Sequence, residues 1–249
     1  MNPETLLEIR ELSKSLDGVP ILHDISLEVR RGDFCGLIGP NGSGKTTLLR
    51  SVTGQLTVAE QRVSILGKDV ATRGLEAKTC TGYAFEPNDL PPQLSGMQLL
   101  DFVGSLRGAP EMAGQIRELS QMLELSERLD DDLRTYSHGM KQKLGVMMAL
   151  IGTPPLIVMD ESLNGLDPVS AFRLKQYLLT LAQTGRSGIL LSSHQLDSLE
   201  RYCTRIIMMR DGRLVHEWTR AELEAEMAAK HTHLEEIFVD YLTNLPGQA

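Results

Sequence analysis

Much that would mark other classes of protein is missing from this chain of 249 residues. Cysteine is scarce: Cys35, Cys80 and Cys203 are odd in number, far apart and outside any metal-ligand spacing. That excludes a disulfide framework or zinc site and leaves reduced, partly buried thiols as the expectation. Positive charge is in deficit, with 25 Lys and Arg against 33 Asp and Glu, a net charge of −8 and a pI near 5.3. A dedicated nucleic-acid binder carries a basic face, so no nucleic-acid partner is expected. Met1-Asn2-Pro3-Glu4 lacks the charged and apolar regions of a signal peptide. No apolar run approaches the ~20 residues that cross a bilayer, so any work at a membrane requires another chain to hold this one there. Asp130-Asp131-Asp132 is followed by no fitting glycine or terminal glutamate of a calcium loop and reads as a solvated acidic turn. Internal repeats and low-complexity segments are also lacking.

What is present is ample apolar residue, 41% of the chain, enough for one large domain or a core with an inserted lobe. Runs at Leu6–Leu12, Ile25–Val29 and Phe34–Ile38 predict strands, followed by Val63–Leu66 and Thr79–Phe85. Pro87, Pro91 and Pro92 then break the chain, and 96–107 and 111–125 predict helices, so that about 88–150 reads as a helical lobe inserted between core strands. Leu156–Met159 and Gly188–Leu191 suit strands buried on both faces, with helices from Pro168 to Ala182 and over 195–202. Asp211-Gly212 predicts a tight hairpin between Arg205–Met209 and Arg213–His216. Helical patterns over 220–230 and 234–242 follow. The pairs Met147-Met148 and Met208-Met209 read as core filler.

Between strand and helix lies Gly39-Pro40-Asn41-Gly42-Ser43-Gly44-Lys45-Thr46-Thr47, which fits G-x-x-x-x-G-K-[ST]. Glycines let the backbone approach phosphates with no Cβ in the way. Lys45 supplies a point charge for β- and γ-phosphates, the Thr46 hydroxyl suits Mg²⁺, and the helix N-terminus faces the anion. These residues predict binding of a nucleoside triphosphate. Asp160-Glu161 at the end of an apolar strand fits the other half of such a site: one carboxylate for Mg²⁺, the next to polarise an attacking water. An acidic pair is weak evidence alone, but further pieces surround it: Tyr136-Ser137-His138-Gly139-Met140, Gly165-Leu166-Asp167 and Ser192-Ser193-His194.

With these in place, from about residue 5 to 217, the chain closely resembles the ATP-binding subunit of an ABC transporter. Residues 136–143 and 233–242 resemble subunits that pair with a separate permease in export of drugs, lipids or polysaccharides. The resemblance implies an α/β fold: a P-loop NTPase core with mixed sheet and helices, an N-terminal antiparallel β subdomain and an inserted α-helical lobe. The ATP-binding domain would span 1–217, with a C-terminal helical extension over 218–249. It implies ATP and Mg²⁺ as ligands and a head-to-tail dimer, a homodimer being the simpler choice, with each ATP between one phosphate loop and the partner's Ser137–Met140. Ser137 would offer its hydroxyl and Gly139 its N–H, next to Met140. Glu161 would be the general base, His194 would contact the γ-phosphate, and Asp167 would couple the two sites across the interface. A plain helix cap is the alternative for Ser137 and for Asp167. The groove near Glu86–Pro92 and Leu99–Arg107 would receive a helix of the permease, placing the chain at the cytoplasmic face of the membrane. A soluble relative acting on ribosomes or DNA, a nucleotide-switched module with little hydrolysis and a small-molecule kinase are the competing readings. The acidic balance, the intact Glu161 and His194, and the otherwise unused Ser137–Met140 count against them in turn.

The chain departs from the family at several places. Glu86 stands where a glutamine touching Mg²⁺ is usual, adding negative charge beside the triphosphate. His138, Met140 and Ser162 replace commoner residues without removing a reacting group. Leu16 occupies the place of an aromatic residue that stacks on adenine. Leucine covers a purine face without an aromatic quadrupole, so selectivity for the base should be modest. Competition of ATP with GTP in a binding assay checks this, and a preference of about a hundredfold, roughly 2.8 kcal/mol, would overturn it.

Overall fold

The computed structural model describes residues 4–84, 87–109 and 112–244. Its first two strands, β1 (Thr5–Leu16) and β2 (Val19–Arg30), are longer than the apolar runs within them. They pair through the turn Asp17-Gly18, whose residues both have positive φ, 50° and 80°. The register between them shifts at four places, two of them at Glu11 and Asp24, whose N–H groups are taken up by Ser26 and Ser13 Oγ at 3.0 Å. These bulges interrupt the alternation that sequence patterning relies on. After β3 (Phe34–Ile38) and helix α1 (Lys45–Val52) come β4 (Val63–Ile65) and β5 (Lys68–Asp69). They complete an antiparallel sheet in the order β2-β1-β4-β5.

A short helix, α2 (Gly74–Thr79), leads into β6 (Thr81–Tyr83). The strand expected over Thr79–Phe85 is therefore shorter, because Thr79 ends a helix; Phe85 lies outside the described residues. Next in the chain come α3 (Gly96–Leu106), α4 (Ala113–Met122) and α5 (His138–Leu150). Ser95 and Gln98 start α3 as a reciprocal cap. The carbonyls at the end of α5 find partners from outside it. Arg107 donates to Met148 O, Ile151 O and Thr81 O at 2.6–3.0 Å, and Gln115 donates to Leu150 O at 3.0 Å. Burial lowers the Arg107 guanidinium only to about 10, so it stays charged at neutral pH. Arg107 thus braces the helices onto β6 and is not a free docking residue.

The chain returns through β7 (Leu156–Asp160), α6 (Pro168–Gln183), β8 (Gly188–Ser192), α7 (Leu196–Tyr202), β9 (Arg205–Arg210) and β10 (Arg213–Thr219). The second sheet has the order β10-β9-β3-β8-β7-β6, parallel from β9 to β6 and antiparallel at β10. Every residue of β3 and β8 is buried, the expected state of parallel strands covered on both faces. Alternate residues feed two cores. Phe34, Ile38, Ile189 and Leu191 pack among the helices, while Cys35, Leu37 and Leu190 face α1 and the antiparallel sheet. Cys35 and Cys203 lie in opposite cores, and all three thiols are free.

Helices α8 (Arg220–Lys230) and α9 (Leu234–Asn244) finish the described chain. Leu234 and Ile237 are fully buried, and the Tyr241 ring lies 4.8 Å from His216 and 5.1 Å from Trp218. Arg210 Nη1 holds Leu242 O at 2.9 Å. Helix α9 thus packs on its own chain. Among the described residues no helix is long and apolar enough to cross a membrane.

Asp211-Gly212, with φ of 47° and 71°, closes the β9–β10 hairpin in the expected way. A Cβ on Gly212 would lie 2.0 Å from Ile21 O, whereas one on Gly18, of similar φ, would meet nothing within 4 Å. Gly18→Ala should cost about 1–2 kcal/mol of unfolding free energy from the left-handed backbone alone, and Gly212→Ala distinctly more. Urea unfolding of both variants checks this; equal losses would refute it.

Candidate nucleotide site

The parallel order brings the ends of three neighbouring strands to one edge of the sheet. Ser192 at the end of β8 is in register with Leu37 of β3 on one side and Asp160 of β7 on the other. The phosphate-loop segment, His194 and Asp160-Glu161 therefore emerge side by side, where ligands bind in open α/β sheets.

The loop Gly39–Gly44 turns from β3 into α1. Gly44 caps that helix in the left-handed conformation, φ 100°, and no side chain caps it. The first N–H groups of α1 are thus left to a ligand or to solvent. Gly39 runs so close to β9 that a Cβ would stand 2.3 Å from Met209 O. The hairpin turn grips the loop further, Gly212 N–H donating to Ser43 O at 3.0 Å while His23 N–H donates to Gly212 O at 2.9 Å. Among the described residues Ser43 Oγ is buried without a hydrogen-bond partner. Lys45 is buried and donates to Gly39 O and Pro40 O at 2.8 and 3.1 Å. Burial lowers its pKa, and the nearby Glu161 and Asp160 carboxylates partly offset that. Asn41, Gly42 and Thr46 are exposed, and Pro40 and Thr47 half-buried.

Beyond β7 the backbone turns sharply, Glu161 adopting φ 48°. Its carboxylate is held from two sides: His194 Nε2 is 2.6 Å from Oε1, and Asn164 Nδ2 donates to Oε2 at 3.1 Å. Ser192 Oγ donates to Asp160 Oδ1 at 2.5 Å. In the sequence Ser192 stands within Ser192-Ser193-His194 with no role of its own and Asn164 is not singled out, because small polar residues near strand ends are common.

Ser137 caps α5, its Oγ accepting from Met140 N–H at 3.2 Å. Asp167 caps α6 through Ser170 N–H at 2.9 Å and pairs with Lys143 of α5 at 2.7 Å. The Lys143 ammonium, with the Ser170 N–H, holds the Asp167 carboxyl well below the usual carboxylate range. A Cβ on Gly139 would stand 3.3 Å from Gly165 O. Ser137, Gly139, Met140 and Asp167 therefore form one face, and among the described residues no hydrogen bond or ion pair joins them to Gly39–Thr47. Leu16 is half-buried at the tip of the β1–β2 hairpin, whose second strand approaches the loop at Ile21 and Leu22. Glu86 lies outside the described residues. Among them, no group of three or more His, Cys, Asp or Glu could hold a metal.

A family profile described as ABC transporter matches residues 22–164. The chain is 32% identical over 213 residues to the ABC transporter ATP-binding protein YhcH of Bacillus subtilis, covering 85% of this chain and 69% of that protein. It is also 32% identical over 220 residues to the Nod factor export ATP-binding protein I of Cupriavidus metallidurans, covering 88% and 72%. A solved ATP-binding subunit of an ABC transporter superposes with a TM-score of 0.86 at 28% identity, over 95% of this chain and 99% of that one. Fold, loop, strand-end carboxylates and relatives agree: the chain belongs to the ABC transporter ATP-binding family.

Proposed function

We propose that this protein binds and hydrolyses ATP as one half of a homodimer and uses that cycle to drive a separate membrane permease in export. The observation that carries the hydrolytic reading is the 2.6 Å contact of His194 with Glu161, at the ends of strands beside the phosphate-loop strand. Glu161 takes the proton of the attacking water as general base. His194 holds that carboxylate and the γ-phosphate in line. Lys45 and the N–H groups of 39–47 bind the phosphates, the orphaned Ser43 Oγ marking where a partner is wanted. The hydroxyl of Thr46 and the carboxylate of Asp160 are hard oxygen donors of the kind Mg²⁺ accepts, and Glu86 would add a third. Held by these residues, Mg²⁺ would supply positive charge against the triphosphate.

Dimerisation accounts for the second face. Among the described residues Ser137, Gly139, Met140 and Asp167 make no polar contact with their own phosphate loop; a second copy would supply them, and two identical copies build two sites. For the permease, a groove of about 250 Å³ lies between α2, β6 and α3. Leu75 and Leu106 on its rim are 76% and 54% exposed. An amphipathic segment of the membrane partner fits such a groove and would hold the protein at the cytoplasmic face. Export is supported by the relative named for Nod factor export.

Purified wild-type protein should hydrolyse ATP, and Glu161→Gln should lower turnover about a hundredfold or more while still binding nucleotide. Unchanged turnover would leave a nucleotide-switched binding module instead. Leu106→Asp should reduce recovery of a multi-span protein with the tagged chain from detergent-solubilised membranes, with ATPase turnover of the isolated chain unaltered. Recovery of ribosomal or DNA-repair proteins and no membrane protein would overturn the transport reading.

A further inference from the structure

One hydroxyl reaches both acidic residues of the site. Ser192 is fully buried in the middle strand of the edge that carries the chemistry. Its Oγ donates to Asp160 Oδ1 at 2.5 Å and accepts the Glu161 N–H at 3.0 Å. The same N–H also leans on Ser192 O at 3.1 Å. A serine hydroxyl has one hydrogen, and here it is committed to the carboxylate, leaving lone pairs for the amide. Both contacts matter for geometry. Asp160 would otherwise swing about its terminal torsion, a soft one for carboxylates. Glu161, a non-glycine residue at φ 48°, needs its surroundings to hold a backbone conformation it does not favour.

We propose that Ser192 is a positioning residue of the nucleotide site, its buried hydroxyl fixing the Asp160 carboxylate and the left-handed turn that presents Glu161 at the same time. The inference rests on the hydrolytic reading of Asp160 and Glu161 given above. Valine or alanine would fill this strand position at least as well for packing; the hydroxyl is there for the two acidic neighbours. Ser162 Oγ, which donates to Asp160 O at 3.2 Å, supports the same turn from its far side but leaves the carboxylates alone.

Two variants separate positioning from packing. Ser192→Ala removes the hydroxyl, and Ser192→Cys keeps the volume while donating only weakly. Each should lower kcat roughly 10- to 100-fold, the range for losing a hydrogen bond to a charged group. Each should also raise the Mg²⁺ concentration that half-maximally stimulates binding of a fluorescent ATP analogue, with binding in chelator unchanged. Ser192→Thr should restore both toward wild type. A variant that merely misfolds loses active protein without moving the Mg²⁺ midpoint, and if Ser192→Ala does not fold, Ser192→Cys carries the test. A wild-type value for either kcat or the Mg²⁺ midpoint in Ser192→Cys would overturn the dual role. If the wild-type protein itself fails to hydrolyse ATP, the hydrolytic reading falls, and the Mg²⁺ midpoint still reports on the Ser192–Asp160 contact.

Discussion

Parallel pairing places a severe demand on a strand: its ends point the same way as its neighbours', and both faces must be covered. β3, β8 and β7 meet that demand with short apolar segments, and the consequence is that three chain segments leave the sheet side by side at one edge. Everything polar in the site depends on this. The phosphate loop, the acidic pair and the histidine are far apart in sequence, and the register of Leu37, Ser192 and Asp160 is what makes them neighbours. A slip of one residue in β8 would turn Ser192 to the opposite face and separate the Asp160 carboxylate and the Glu161 N–H from the hydroxyl they share.

The second dependence is on closeness of backbones. Gly39 against Met209 O, and Gly212 between Ile21 O and Ser43 O, let three strands and a loop approach at distances that exclude a side chain. The loop is therefore shaped from outside as well as by its own glycines. Its conformation is a property of the hairpin and of β2 as much as of the nine residues that carry the motif.

How legible was this beforehand? The runs Phe34–Ile38, Leu156–Met159 and Gly188–Leu191 lie within one residue of strands in the structure, because strands buried on both faces have no polar interruption to confuse. The phosphate loop was legible because its chemistry dictates glycines and lysine at fixed spacing. β1 and β2 were read too short, since bulges at Glu11 and Asp24 break the period of two, and α2 is only a few residues long. Arg107 stood in the sequence only as the end of an expected docking stretch, but its three carbonyl partners lie at the end of α5 and on β6, remote in sequence. Ser192 lay inside a recognised motif, yet its role was hidden for the same reason: that role depends wholly on what the fold sets beside it. Tertiary partnership is the part of a site that one-dimensional patterning does not carry.

The grip of Arg210 on Leu242 O gives the C-terminal helix an unexpected reach. Arg210 adjoins the Asp211-Gly212 turn that holds Ser43, so helix α9 is two short links from the phosphate loop. Strain at the tail would arrive at the loop through stiff, hydrogen-bonded parts with little slack to absorb it. For an engineer, fusions and labels joined after α9 are perturbations of this loop, and the far side of the antiparallel sheet is the quieter place to attach them.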